Sequence, residues 1–311
     1  MEAETQVEAS PERAVQALNR ALFLAEGRPE PGPVVLASPA DLRALEREVL
    51  RRHLDPLMLA ERPDLGLDAL LEGGVLDALL PEVRALVGFG DGEWRHKDVW
   101  RHTKQVVAQS VSRLEVRWAA LFHDIGKVKT RSISETGEVH FFGHAEVGAR
   151  MFEKLDRREK LFRSEPSLAG SVKFLVLHHL RASQYDGSWT DSAVRRFARE
   201  IGGRLEDLLC LSRADITTKR PEKKRRGIEM IDQLATRIAA LAEEDAKVAP
   251  LQSGVGSAIM VAFGLPPAKL IGDLKRALEA CVEAGELEPQ QESEYYVQFL
   301  TEHRERFGVP G

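Results

Sequence analysis

Apolar residues along this chain recur mostly at spacings of three and four, and β-branched runs are scarce, a pattern that predicts an all-α fold. Residues 10–26 (SPERAVQALNRALFLAE) read as one amphipathic helix, with Pro11 in a permitted first-turn position. The segment GRPEPGP, Gly27–Pro33, breaks it. A second helix is expected through SPADLRALEREVLRRHL, capped by Ser38, with Pro39 and Asp41 suited to its first turn. LGLDALLEGGVLDALLPEVRAL predicts two short helices parted by Gly73-Gly74. Four or five helices fit between 98 and 219, around the irregular insert SISETGEVHFFGH, where a short hairpin is expected across Gly137. A long helix then runs to about Lys247, and a last one places Ile271, Leu274, Leu278 and Cys281 on one face.

The histidines acquire meaning against that helical frame. Val99, His102 and Val106 share one stripe; Val116, Ala119, Ala120 and His123 share another. His144 opens a helix whose core stripe is Gly148, Met151 or Phe152, and Leu155. Val172, Leu175, Val176 and His179 repeat the pattern, and Leu208, Leu211 and Asp215 close it. Five helices thus each carry a metal-capable group on the inward stripe, near one end. A lone histidine on an apolar face is usually a satisfied core residue. Five buried polar groups, each costing a few kcal/mol if left unpaired, are satisfied together by one shared cation.

The donors are nitrogen and oxygen, which suits Mn, Fe, Ni, Co, Zn or Mg. Asp124 follows His123 directly, and its two oxygens can bridge two ions. Two metals ~3.5–4 Å apart clamp an in-line phosphoryl displacement and lower the pKa of a bound water from 15.7 towards ~7. Gly126 is expected to end the helix, and Lys127 either meets a phosphate or complements the helix C-terminus. Arg181 and Arg213 are bidentate phosphate candidates, or partners in structural ion pairs.

Composition narrows the setting. Hydrophobic content of 43% supports a proper core, and a net charge of −5 gives no global sign of nucleic-acid binding. Cys210 and Cys281 form no CxxC, which fits a reducing compartment without a thiolate zinc site. The N-terminus is acidic and lacks an apolar run, and no apolar stretch is long enough to span a membrane, so a cytoplasmic location is expected. Locally, Lys219–Arg226 (KRPEKKRR) can neutralise RNA phosphates or form the solvated first turns of a helix. His96 and Asp98 are candidates to orient ligands from behind, His140 and His303 are expected in solvent, and Trp94, Trp100 and Trp118 in packing.

The set H…HD…D, here His102, His123-Asp124 and Asp215, resembles the HD superfamily of metal-dependent phosphohydrolases over about 93–219. That resemblance implies an HD-domain helical bundle and hydrolysis of phosphate esters. FFGH and LHHL resemble the two-metal versions of the family. By that likeness His102, His123, Asp124 and Asp215 hold one ion, and Asp124, His144 and His179 or His178 hold a second. GLDALLEGGVLDALLPEVRALVG, HKDVWRHT and IMVAFGLPPAKLIGDLKRALEACVEAGELEP extend the resemblance, over roughly 40–300, to the bacterial tRNA nucleotidyltransferase and poly(A) polymerase family. It implies an N-terminal extension (1–37), neck-like helices (38–92), the HD domain (93–219) and a body-like C-terminal region (220–311).

The family's catalytic head carries paired aspartates on a strand, and no Asp-x-Asp occurs in this chain, so a headless version without nucleotide addition is expected. In that family the HD domain is associated with hydrolysis of 2′,3′-cyclic phosphates and 2′-nucleotides. The expected protein is therefore a metal-dependent phosphohydrolase of a nucleotide or RNA-terminal phosphoester, with tRNA a further candidate partner and no membrane association. Asp124 and Lys127 are its candidate catalytic residues, and Lys127, Arg181 and Arg213 its substrate contacts. Its rivals are a cyclic nucleotide, cyclic dinucleotide or dNTP hydrolase, and an RNA-binding accessory module with a vestigial site.

Overall fold

A computed structural model describes residues 9–90, 98–246 and 249–309; Trp94 and His96 lie outside them. The protein is all-α: 67% of the described residues are helical, and their only sheet is one two-stranded hairpin. The described residues fall into two compact units, Met1–Ala239 and Ala240–Gly311.

In the first unit, α1 (Pro11–Ala25) packs on α3 (Arg47–Leu59) and α4 (Pro63–Glu72). Its buried stripe of Ala14, Ala17, Leu18, Ala21 and Ala25 has the helical period expected. The single helix expected from Ser38 is in fact two, α2 (Pro39–Arg43) and α3. Ser38 and Asp41 do form a reciprocal capping box. Asp41 also accepts from the Ser10 N–H (2.6 Å) and from Arg13 (3.0 Å), so this turn is anchored to the start of α1. Glu46 then turns extended and occupies the N-cap position of α3, without a side-chain capping bond. After Gly73-Gly74 come α5 (Val75–Leu79) and a further helix not expected, α6 (Pro81–Arg84), which Pro81 starts at its first position.

The site is carried by α7 (Val99–Gln109), α8 (Leu114–Phe122), α9 (Lys127–Thr130), α10 (His144–Glu159), α11 (Pro166–His178), α12 (Asp191–Ile201) and α13 (Leu205–Ala214). Between α9 and α10 lies the expected hairpin, β1 (Ser132–Ile133) and β2 (Val139–His140), paired Ser132 to His140 across a turn with Gly137 at φ +82°. Helix α8 is central: Val116 to Phe122 are all buried, and it contacts α3, α7, α11 and α13. Trp118 stacks on Phe122 at 5.9 Å, meets Phe162 edge-on, and donates its indole N–H to Asp55 (2.9 Å).

Arg117, on the same helix, is buried with its charge spent on carbonyls. Nη1 donates to Met58 O (2.6 Å) and Ala60 O (2.7 Å), Nη2 to Ser110 O (3.2 Å). These carbonyls lie at the C-terminal ends of α3 and α7, where helices lack internal donors and carry partial negative charge. One guanidinium therefore ties both helix ends to α8.

Helix α14 (Pro221–Ala246) spans the division between units. The second unit has its own core, in which α15 (Val255–Phe263), α16 (Lys269–Glu283) and α17 (Ser293–Glu302) bury Val255, Ile259, Leu300 and the expected face Ile271, Leu274, Leu278 and Cys281; α18 (Arg304–Phe307) follows. Among the described residues, no helix is long and apolar enough to cross a membrane.

Arg117→Ala is expected to lower unfolding free energy by about 3 kcal/mol, because buried carbonyls at two helix ends lose their donors. Arg117→Lys should recover only part, since an ammonium cannot span both ends. Urea denaturation measures both, and an alanine variant as stable as the parent contradicts the clamp.

Candidate metal centre

Three of the sequence-predicted ligands occupy equivalent places. His123 is the C-cap of α8, His179 the C-cap of α11, and Asp215 the C-cap of α13. Three helix C-termini, each carrying roughly half a negative charge, thus converge on one point and favour a cation. His102 comes from the fourth position of α7, and His144 from the first position of α10, whose N-terminus offsets part of that field.

The imidazoles are aimed by their far nitrogens. Nδ1 of His123 bonds Ala120 O, Nδ1 of His144 bonds Phe141 O and Nδ1 of His179 bonds Val176 O, each at 2.8 Å and three residues back. A carbonyl only accepts, so Nδ1 carries a proton and Nε2 faces inward, as a lone pair wherever the ring is neutral. His102 is positioned by a hydroxyl instead, with Nδ1 2.9 Å from Thr217 Oγ1, which can donate or accept.

In the first group, His102 Nε2 lies 3.2 Å from His123 Nε2, 3.0 Å from Asp215 Oδ1 and 3.4 Å from Asp124 Oδ2. His123 Nε2 lies 3.2 Å from Asp124 Oδ2 and 3.5 Å from Asp215 Oδ1. Donors around a cation at ~2.0–2.2 Å must sit about 3.0–3.5 Å apart, so these spacings fit a coordination shell. In the second group, His144 Nε2 lies 3.5 Å from Asp124 Oδ1 and 3.2 Å from His179 Nε2. Both rings of that pair have committed Nδ1–H to carbonyls, so two lone pairs face each other. A cation between them relieves this contact. Among the described residues, His102–His123–Asp124 and Asp124–His144–His179 are the two groups spaced to hold an ion. Asp124 serves both, Oδ2 toward the first and Oδ1 toward the second.

The charge balance points the same way. Burial disfavours a charged His123, but Asp124 and Asp215 outweigh it and raise its pKa to about 10, so without an ion its Nε2 holds a proton in the place a cation would take. Burial opposes ionisation of Asp124 and Asp215 as well, and the imidazoles around them hold both far below the ordinary carboxylate range. Burial lowers His144, and lowers His179 to about 4, so those rings stay neutral and able to ligate.

Gly126 acts differently from the expectation that it ends a helix. Its backbone is ordinary right-handed helical (φ −67°, ψ −22°). A Cβ there would lie 2.0 Å from His144 O and 2.7 Å from Gly148 N. The turn bearing His123-Asp124 is therefore pressed backbone to backbone against α10, which brings His144 within reach of Asp124.

The remaining candidates are distributed around this centre. Lys127 Nζ pairs with Asp124 Oδ2 at 2.6 Å and lies 5.7 Å from the Phe141 ring. With His144, His178, Arg181, Phe142 and Gln184 it lines a cavity of about 760 Å³. His178 stands outside both groups, its ring 4.3 Å from Phe174. Arg181 reaches the cavity but pairs with Glu200 (2.7 Å), and Arg213 pairs with Asp232 (2.8 Å) away from it. Asp98 caps α7 through the Trp100 and Arg101 N–H groups, and its backbone carbonyl accepts from the His102 N–H at 3.0 Å. His140 lines the cavity instead of facing open solvent, while His303 is exposed. Trp100 and Trp118 are buried. Arg225, in the basic run, pairs with Glu222 and Glu229. Sequence reasoning missed Thr217, although its place two residues after Asp215 is a signal.

The HD domain family matches residues 97–220. The chain is 32% identical over 259 residues to the A-adding tRNA nucleotidyltransferase of Deinococcus radiodurans, covering 81% of this chain and 58% of that protein. It is 32% identical over 283 residues to the CC-adding tRNA nucleotidyltransferase of Thermus thermophilus, covering 88% and 58%. It is 31% identical over 167 residues to the multifunctional CCA protein of Ectopseudomonas mendocina, covering 52% and 40%. The chain thus spans somewhat over half the length of the first two relatives.

Metal analysis is expected to find two equivalents of Mn²⁺ on the protein, one on His144→Ala and none on Asp124→Ala, with circular dichroism unchanged. Full loading of Asp124→Ala rules out the shared carboxylate. Gly126→Ala should cost about 3 kcal/mol or more in thermal denaturation, since a backbone clash cannot be relieved by a rotamer; wild-type stability contradicts the close approach.

Proposed function

We propose that this chain, an HD-domain protein that resembles tRNA nucleotidyltransferases, is a metal-dependent phosphohydrolase of a nucleotide or RNA-terminal phosphoester, of the 2′,3′-cyclic phosphate or 2′-phosphate class. The observation that carries this reading is the division of Asp124, one oxygen to each group of imidazoles. Divalent ions on such a donor set polarise phosphoryl oxygens and generate a nucleophile from water at neutral pH.

The chain's own residues supply the rest. His102, His123, Asp124 and Asp215 form one half of the cage, and Asp124, His144 and His179 the other. Thr217 and the three backbone carbonyls keep the imidazoles oriented. Lys127 stands at the cavity wall with its ammonium on Asp124 and binds an incoming phosphate from there. Arg181, whose guanidinium pairs with Glu200 at 2.7 Å, stands on the same wall. Hydrolysis adds water across the P–O bond: the water oxygen joins phosphorus, the ester oxygen leaves, and it departs with a proton.

Similarity to tRNA-adding proteins over 81–88% of the chain favours an RNA end as the carrier of the phosphoester. The run Lys219–Arg226, exposed over most of its length, supplies sequence-independent contact to the backbone. Such contact weakens steeply with salt. Cyclic nucleotides, cyclic dinucleotides and dNTPs present the same P–O bond, and a substrate screen ranks them against RNA ends.

In a phosphoester screen with added Mn²⁺, Ni²⁺ or Co²⁺, hydrolysis of a 2′,3′-cyclic phosphate or 2′-nucleotide is expected, and chelator should abolish it. Lys127→Ala should lower kcat/KM about 100-fold while retaining its metal. Turnover indifferent to chelator would overturn the assignment.

A further inference from the structure

The β1–β2 hairpin carries a feature that the metal centre does not use. Of two adjacent phenylalanines, Phe141 is turned toward the protein, with Lys127 5.7 Å from its ring and Phe89 6.2 Å away. Phe142 is 77% exposed. Its ring lies on that of His140 at 4.9 Å with planes only 15° apart, so the two present a flat, doubled aromatic face. A single exposed apolar side chain is ordinary. This one borders the cavity that also holds Lys127, Arg181 and the ligand His144, two residues along the chain.

We propose that Phe142, backed by His140, is a stacking platform for a nucleobase, so that the centre takes a nucleoside phosphoester in preference to other phosphoesters. The proposal deepens the hydrolase reading and rests on it for the position of the phosphate. The cavity joins the two chemistries such a ligand has. Cations at Lys127 and Arg181 and the half-cage at His144 suit the phosphate, and an aromatic face at the rim suits the base. A volume of about 760 Å³ lies within the ~300–1,000 Å³ usual for small-molecule sites. Ring-on-ring stacking accepts any base, because every base has a π-face. The platform therefore selects for a base without selecting which one. The hairpin also fixes where the base enters: β2 presents His140, and Gly143, at φ +70°, turns the chain at once into α10, so the platform and His144 lie within one turn of each other.

The test compares adenosine 2′,3′-cyclic phosphate, cytidine 2′,3′-cyclic phosphate and the abasic ribose 2′,3′-cyclic phosphate, with Mn²⁺. The wild-type protein is expected to favour both nucleosides over the abasic ester by about tenfold or more in kcat/KM, chiefly through KM. Phe142→Ala should collapse that ratio toward one, and Phe142→Trp should restore it. A ratio unchanged in Phe142→Ala overturns the platform while leaving the hydrolase reading in place. If the wild-type protein hydrolyses none of the three, the hydrolase reading fails, and calorimetric binding of adenosine 2′-monophosphate decides the platform. Tenfold weaker binding by Phe142→Ala supports it, and equal affinity refutes it.

Discussion

A carboxylate with 1% of its side-chain surface exposed, Asp124, sits among imidazole nitrogens on every side, and the architecture around it follows from the need to give that charge a partner. An ionised carboxylate in a dry interior is costly unless paired. Lys127 supplies one ammonium. The imidazoles of His102, His123, His144 and His179 supply lone pairs, which do not neutralise a carboxylate unless a proton or a cation joins them. Two of those rings, His144 and His179, have pKa values pressed down by burial, which leaves a metal ion as the partner they can accept. The helix ends agree, because α8, α11 and α13 all bring their C-termini to this point.

The surrounding packing holds these helix ends in register. Gly126 lets the turn after α8 lie directly on α10, which sets the separation of Asp124 from His144. Arg117 ties the ends of α3 and α7 to α8, so the N-terminal helices and the ligand helices share one support. Trp118, stacked on Phe122 and bonded to Asp55, extends that support across the same interface. A cage whose donors must lie within a few tenths of an ångström of their places requires such fixed elements behind it.

The helical period made the all-α fold and the five inward donors readable in the residues, since a stripe such as Val172, Leu175, Val176 and His179 is set by local geometry alone. Features decided by tertiary contact were not. The anchoring of α2 to the start of α1 depends on Asp41 meeting Ser10 and Arg13, some thirty positions away. The role of Gly126 depends on a backbone from another helix, and its ordinary φ gives no local sign of it. Arg181 and Arg213 carry the charge a phosphate needs, yet their carboxylate partners Glu200 and Asp232 come from other helices. His178 and His179 have the same residue type in adjacent positions, and the stripe through Val172 and Val176 turns His179 inward, leaving His178 on Phe174.

The most direct measurement is anomalous diffraction from crystals of the protein grown with Mn²⁺. Two anomalous peaks ~3.5–4 Å apart are expected, on either side of the Asp124 carboxylate. One should be bounded by His102, His123 and Asp215, the other by His144 and His179. A cage left without any peak at saturating Mn²⁺, or ions bound away from Asp124, would contradict the shared carboxylate.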